Sequence, residues 1–220
     1  MRKFDSILVA NRGEIAVRVM RSAQALGYRA IAVYSEADTQ APHVQMADDA
    51  VLIGPAPVGE SYLDIERILK AAKDTGAQAV HPGYGFMSEN AAFANACDKA
   101  GLVFIGPTVD AINLMGNKAE AKRRMIEADV PCVPGYEGED QSDAAMLKAA
   151  GEIGFPLMVK ATAGGGGRGM RLVEKAEGVA DALNAARSEA LNAFGSDELI
   201  LERAIIKPRH VEVQVFADTL

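Results

Sequence analysis

The chain has 220 residues, 49% hydrophobic and 24% charged, which is enough apolar side chain for one large domain or two modest ones. Thirty acidic against 23 basic residues give a net charge of −7, which excludes a nucleic-acid coat but not a phosphate ligand held by local lysines. Two cysteines without close spacing, Cys97 and Cys132, read as free thiols of a reducing compartment. No apolar run is long enough for a secretion signal or a membrane span, so a cytoplasmic protein, or a processed mitochondrial-matrix protein, is expected.

The first half alternates short apolar runs with helical patterns. Residues 7–10 read as a buried strand. Ile15, Val19, Ala23 and Leu26 then share one helical face, and Gly27 ends that helix. Strands follow at 30–34 and 51–53. Ser61 with Asp64 resembles a capping box for a helix striped by Ile65, Ile68, Leu69 and Ala72. A strand at 77–80, a helix at 90–100 and a strand at 102–105 continue the series. Strands separated by helices predict a parallel, doubly wound sheet over residues 1–115.

A helix at 118–128 leads into a stiff connector, Val130-Pro-Cys-Val-Pro-Gly135. Helix 142–152 then precedes strand 157–161, a glycine loop and strand 170–173. That short loop predicts an antiparallel hairpin. Val179, Ala182, Leu183 and Ala186 mark another helix, and 199–201 another strand. Val211, Val213 and Val215 alternate with Glu212 and Gln214, which predicts a half-buried strand in need of partners; a longer parent protein is expected on that ground.

Residues 164–169 read Gly-Gly-Gly-Gly-Arg-Gly, too poor in side chain to pack but suited to turning several N–H groups toward an anion. Glycine alone is equally compatible with a loose surface hairpin. Lys160 tips the balance, because it ends the apolar strand before the loop and places an ammonium at the loop mouth. Three phosphate-binding patterns fail on spacing. Gly169 is followed by Met170 and Arg171, not by Lys-Ser/Thr as in a P-loop. A kinase puts its glycine loop before the strand lysine, the reverse of this order. Asn11-Arg-Gly-Glu-Ile-Ala16 offers one glycine where a dinucleotide fold needs three. A lysine, a glycine hairpin and a later strand carrying an acid suit an ATP-grasp site, with nucleotide between two sheets.

Five segments in order, Asn11 to Ala16, His81-Pro-Gly-Tyr-Gly-Phe-Met-Ser-Glu-Asn90, Met115-Gly-Asn-Lys118, Lys160 to Met170 and Pro208-Arg-His-Val-Glu212, resemble the biotin carboxylases. These are the ATP-grasp components of biotin-dependent acyl-CoA carboxylases. The resemblance implies a pre-ATP-grasp domain over 1–115, an α+β lid subdomain over 116–203, and the first strand of a further ATP-grasp subdomain over 204–220. It implies that bicarbonate and MgATP yield carboxyphosphate, whose CO₂ passes to protein-linked biotin. The physical task is to neutralise transferring phosphate charge and keep water from a labile intermediate.

On this resemblance Lys118 and Lys160 are the nucleotide-binding lysines, and Gly166 and Gly167 the backbone that closes over the phosphates. Glu202, Arg203, Ala204 and Ile205 form the hinge against adenine, and His210 faces ribose and phosphates. His81 and Tyr84 wall the biotin site. Each has a plainer reading: Lys118 as a solvated charge, Glu202 as a surface partner of Arg203 or Lys207, His81 as a turn residue. His43 belongs to no motif. Arg18 and Arg21 lie where the family forms homodimer contacts, though exposed charge is their default reading. No His or Cys spacing suggests a metal site in this chain; the magnesium ligands, the bicarbonate lysine and the catalytic residues are expected beyond Leu220. The implied partners are a biotin carboxyl carrier domain and a carboxyltransferase subunit, with no nucleic acid and no membrane. Residues 32–35 and 201–205 lean toward propionyl- or methylcrotonyl-type subunits. Two other readings stay open: another ATP-grasp ligase of the carbamoyl-phosphate type, and a non-catalytic nucleotide-binding module.

Overall fold

The computed structural model describes residues 4–163 and 169–215, with the backbone alone at Phe194. It divides into two compact units, Met1–Leu114 and Met115–Leu220.

The first unit alternates strand and helix: β1 (Ser6–Val9), α1 (Gly13–Ala25), β2 (Arg29–Ser35), α2 (Pro42–Met46), β3 (Asp49–Gly54), α3 (Ile65–Thr75), β4 (Ala79–His81), α4 (Ala91–Lys99) and β5 (Val103–Phe104). All pairings are parallel, in the order β3-β2-β1-β4-β5. This is the expected doubly wound sheet. Its strands are apolar on both faces because helices cover both. Leu8, Ile31, Val33 and Val80 pack with Ile68, Ala72 and Phe93, while Ile7, Val9, Ala30 and Ala32 pack with Ala16, Met20 and Ala23 on the opposite side.

Two details depart from the sequence expectation. Ser61 does not cap α3: Asp64 is the N-cap, its carboxylate accepting from the Arg67 amide at 3.1 Å, whereas the Ser61 hydroxyl donates to the Pro57 carbonyl at 3.0 Å. A 3₁₀ turn at Val58–Glu60 uses Ser61 before the helix can. The short helix α2 was not expected, and it buries His43 completely.

A helix α5 (Val109–Gly116), also unexpected, leads to the second unit. This contains α6 (Lys118–Glu127), β6 (Gly135–Tyr136), α7 (Asp143–Ile153), β7 (Leu157–Ala161), β8 (Met170–Val173), α8 (Val179–Phe194) and β9 (Leu199–Arg203). The strands form an antiparallel sheet in the order β6-β9-β7-β8. The end of the proline connector thus becomes an edge strand rather than a plain linker. Helices α7 and α8 cover one face: Met146, Ile153, Leu183 and Ala186 pack on Leu157, Val159, Leu199 and Leu201. Strand alternation sends Met158, Lys160 and Glu202 to the other face.

The strand expected near 211–215 is not formed. Residues 204–215 carry no helix or strand, and Val211, Val213 and Val215 are 70%, 82% and 75% exposed. Alternation alone cannot make a strand; a ladder partner must accept its amides, and none of the described strands does so.

Candidate functional site

The second unit assembles an ionic network on the face of its sheet opposite α7 and α8. The Lys160 ammonium, at the end of β7, donates to Glu202 Oε2 at 2.5 Å. Lys122, reaching across from α6, donates to Glu202 Oε1 at 3.1 Å and lies 3.6 Å from Glu137 Oε2. Burial acts to raise the Glu202 pKa, but the hydrogen bonds from Lys160 and then Lys122 outweigh it and hold the carboxyl below its ordinary value. Two lysines and two glutamates balance in charge at neutral pH.

Backbone shape makes room for this network. A Cβ added at Gly135 would lie 2.2 Å from the Leu201 carbonyl oxygen and 2.5 Å from Lys122 Nζ. Any side chain there would collide with both strand and lysine.

Lys118 stands at the start of α6, one residue after the N-cap. Asn117 caps the helix through its carbonyl oxygen, at 2.8 Å from the Ala119 amide, and its amide group donates to Glu198 Oε2 at 2.9 Å. The Thr162 hydroxyl donates to the same Glu198 oxygen at 2.9 Å. Both the amide and the ammonium of Lys118 reach the Thr162 carbonyl, at 3.1 and 3.3 Å. The end of β7 and the start of α6 are therefore tied, and Lys118 and Lys160 both issue from that tie.

The remaining expected site residues distribute unevenly. Gly166 and Gly167, and the rest of 164–168, lie outside the described residues. The Arg203 side chain turns away from the network and donates to the Ile153 carbonyl at the end of α7. Its amide donates to Pro134 at 2.8 Å, and the Ala204 amide to Pro156 at 3.0 Å. Both N–H groups are committed within the fold. Ile205 is 59% exposed. His210 is also exposed, 3.9 Å from Glu212 and touching neither lysine. No strand forms around it.

In the first unit, the two glycine-bearing motifs meet at the carboxyl ends of β1 and β4, where the strand order reverses. The buried Asn11 amide donates to the Pro82 and Tyr84 carbonyls at 2.8 and 2.9 Å. Gly83 has φ of +68°, and a Cβ there would come within 2.7 Å of Asn11 Nδ2. His81 Nδ1 accepts from the Gly83 amide at 2.9 Å, and burial lowers its pKa. It thus braces the turn through its Nδ1. Tyr84, in contrast, is 61% exposed, with the Arg18 guanidinium 6.0 Å from its ring centroid. Arg18 also pairs with Glu14.

Sequence reasoning missed Lys122, Glu137, Asn117 and Glu198. For Lys122 a signal existed: it lies one helical turn after Lys118 and so shares its face. Among the described residues no group of three or more His, Cys, Asp or Glu is placed to hold a metal ion, and no helix is long and apolar enough to cross a membrane.

A doubly wound parallel unit followed by an antiparallel sheet is the arrangement of the ATP-grasp fold of solved biotin carboxylases. The chain belongs to the biotin carboxylase family. Residues 3–112 match the biotin carboxylase N-terminal domain, and residues 117–220 match the carbamoyl-phosphate synthase L chain ATP-binding domain. It is 51% identical to the mitochondrial methylcrotonoyl-CoA carboxylase subunit alpha of Dictyostelium discoideum, over 99% of this chain and 31% of that protein. A biotin carboxylase–beta-gamma-ATP complex from Campylobacter jejuni matches with a TM-score of 0.91 and 48% identity, over 94% of this chain and 46% of that one. The biotin carboxylase domain dimer of Hydrogenobacter thermophilus 2-oxoglutarate carboxylase, solved with MgADP, ADP and bicarbonate, matches with a TM-score of 0.89 and 46% identity, over 94% of this chain and 45% of that one. The chain thus spans about a third of that curated relative and under half of those solved chains.

Proposed function

We propose that this chain is the ATP-holding front of a biotin carboxylase, which uses bicarbonate and ATP to carboxylate protein-linked biotin within an acyl-CoA carboxylase. The observation that carries this is Lys160: an ammonium near a strand end, on the sheet face opposite α7 and α8, in a chain of this family. The solved relative with MgADP and bicarbonate supports magnesium and bicarbonate as reactants of the same site. Magnesium would neutralise phosphate charge during transfer.

This chain's own part is to bind and orient. Lys160 and Lys118 supply donors for phosphate oxygens, and Gly166 and Gly167 are proposed to add amides above them. With their amides committed to Pro134 and Pro156, Arg203 and Ala204 have carbonyls to offer the adenine amino group, while Ile205 offers its N–H to a ring nitrogen. Glu202 orients Lys160, and His210 is proposed to approach the ribose once residues 204–220 gain strand partners. His81 braces the turn that presents Tyr84 toward biotin. The carrier domain, a carboxyltransferase subunit and a second copy of the domain are the proposed partners; the dimeric relative supports the last.

Bicarbonate- and free-biotin-dependent ATP hydrolysis tests the assignment. The full-length protein is expected to show it and the 220-residue chain to show none. ATP hydrolysis that answers to ammonia instead of biotin would favour the carbamoyl-phosphate type of ligase that the match over 117–220 also names.

A further inference from the structure

Lys122 has no part in the reading above, yet it is the most deeply buried cation of the network. Its side chain is 8% exposed against 27% for Lys160. An ammonium is not buried to that degree without partners, because desolvation costs several kcal/mol. Lys122 has two, Glu202 at 3.1 Å and Glu137 at 3.6 Å. Gly135 leaves the space its Nζ fills.

The two lysines on Glu202 are therefore unequal. Lys160 is the more exposed of the two and stands near the strand end, where nucleotide phosphate would draw it away. If it were Glu202's only counter-charge, its departure would strand a carboxylate that is 17% exposed. Such an uncompensated charge either resists the departure or takes up a proton. Lys122 cannot leave, and its reserve acceptor is in place: Glu137 Oε2 is buried and accepts no hydrogen bond. Lys160, Lys122 and Glu137 are the charged groups that close this network around Glu202 among the described residues.

We propose that Lys122 is a positioning residue that keeps Glu202 anionic and in place, so that Lys160 can exchange its carboxylate partner for a nucleotide phosphate. This rests on the reading of Lys160 as a phosphate ligand. It assigns Lys122 no contact with nucleotide.

The test is calorimetric titration of the full-length protein with MgADP in buffers of different ionisation enthalpy. Lys122→Met keeps the length and removes the charge. Its affinity is expected to fall about tenfold, the size of one charge-assisted hydrogen bond, and binding is expected to take up a proton and strengthen as pH falls. Lys122→Met/Glu202→Gln, with the acid gone, is expected to recover most of the affinity and lose the proton uptake. A merely structural Lys122 would weaken binding without proton uptake and without rescue, and that result overturns the proposal. If Lys122→Met does not fold, ¹⁵N signals of the lysine ammonium groups in the unaltered protein decide. MgADP should move the Lys160 signal and leave Lys122 in place, whereas movement of Lys122 onto the ligand overturns it. Failure of the parent reading looks different: Lys160→Ala would then bind MgADP as well as the unaltered protein does.

Discussion

The two units solve the same problem, charge inside a fold, in opposite ways. In the first, Asp38 is buried and saturated: it accepts from Arg12 Nε at 2.7 Å, from the Tyr62 hydroxyl at 2.6 Å and from the Ser35 hydroxyl at 3.2 Å. Chiefly through Arg12, its carboxyl is held down at about 2, while burial and Asp38 push the Tyr62 hydroxyl up to about 12. Asp38 is 7% exposed and its oxygens are engaged, although the Arg12 side chain that holds it is 48% exposed. The carboxylate of the second unit, Glu202, also has strong donors, but one of them, Lys160, holds it through a single hydrogen bond near a strand end. A saturated cluster fixes a fold, and one with a removable member can serve binding. The difference lies in how the basic partner is held, by two hydrogen bonds for Arg12 and by one for Lys160, and not in exposure.

The largest expected effect breaks the saturated cluster. Asp38→Ala leaves Arg12, Tyr62 and Ser35 without their acceptor and should destabilise the protein by about 3 kcal/mol in denaturant unfolding. Nearly as large is Lys160→Ala, which should weaken nucleotide binding about a hundredfold while moving the unfolding midpoint little. Equal loss of stability in both variants would erase the contrast between the units.

Acid sharpens the same contrast. The folded pKa of Asp38 lies below its ordinary 3.8, so its contribution is complete above that value and is lost as pH falls toward about 2. His43 acts earlier. Its buried Nδ1 has no partner and burial lowers its pKa below 6.5, so the unfolded chain binds the extra proton first. Stability should therefore begin to decline as pH drops below about 6.5, and His43→Leu should flatten that limb of a pH–stability curve. The smallest effect concerns a cap. The Ser142 hydroxyl accepts from the Ala145 amide at 3.3 Å, so Ser142→Ala should cost about 1 kcal/mol, read as a lower unfolding midpoint.

Much of the first unit was legible in the sequence, because strands covered on both faces read as apolar runs and their helices carry clear stripes. The elements that escaped are α2, α5 and β6, too short or too weakly patterned to separate from loops. The capping box failed because Ser61 and Asp64 both have N-cap chemistry, and only the preceding 3₁₀ turn decides between them. In the candidate site, Lys160 was legible from strand and loop order. Lys122 carried a signal in its spacing from Lys118, but its burial was not legible, because that comes from Glu202 on β9 and from Glu137 and not from α6 itself. The valine alternation at 211–215 describes what such a segment would do beside a partner strand, which no local pattern can supply.

The pairing of Lys160 with Glu202 also bears on selectivity. Lys160 and Lys122 are matched by Glu202 and Glu137, so these four groups together offer no net positive charge to attract small anions. Inorganic phosphate or sulfate would have to break the Lys160–Glu202 contact with charge alone. A nucleotide can add the contacts of its base along 203–205, so the resting ion pair serves as a filter against ligands that are merely anionic.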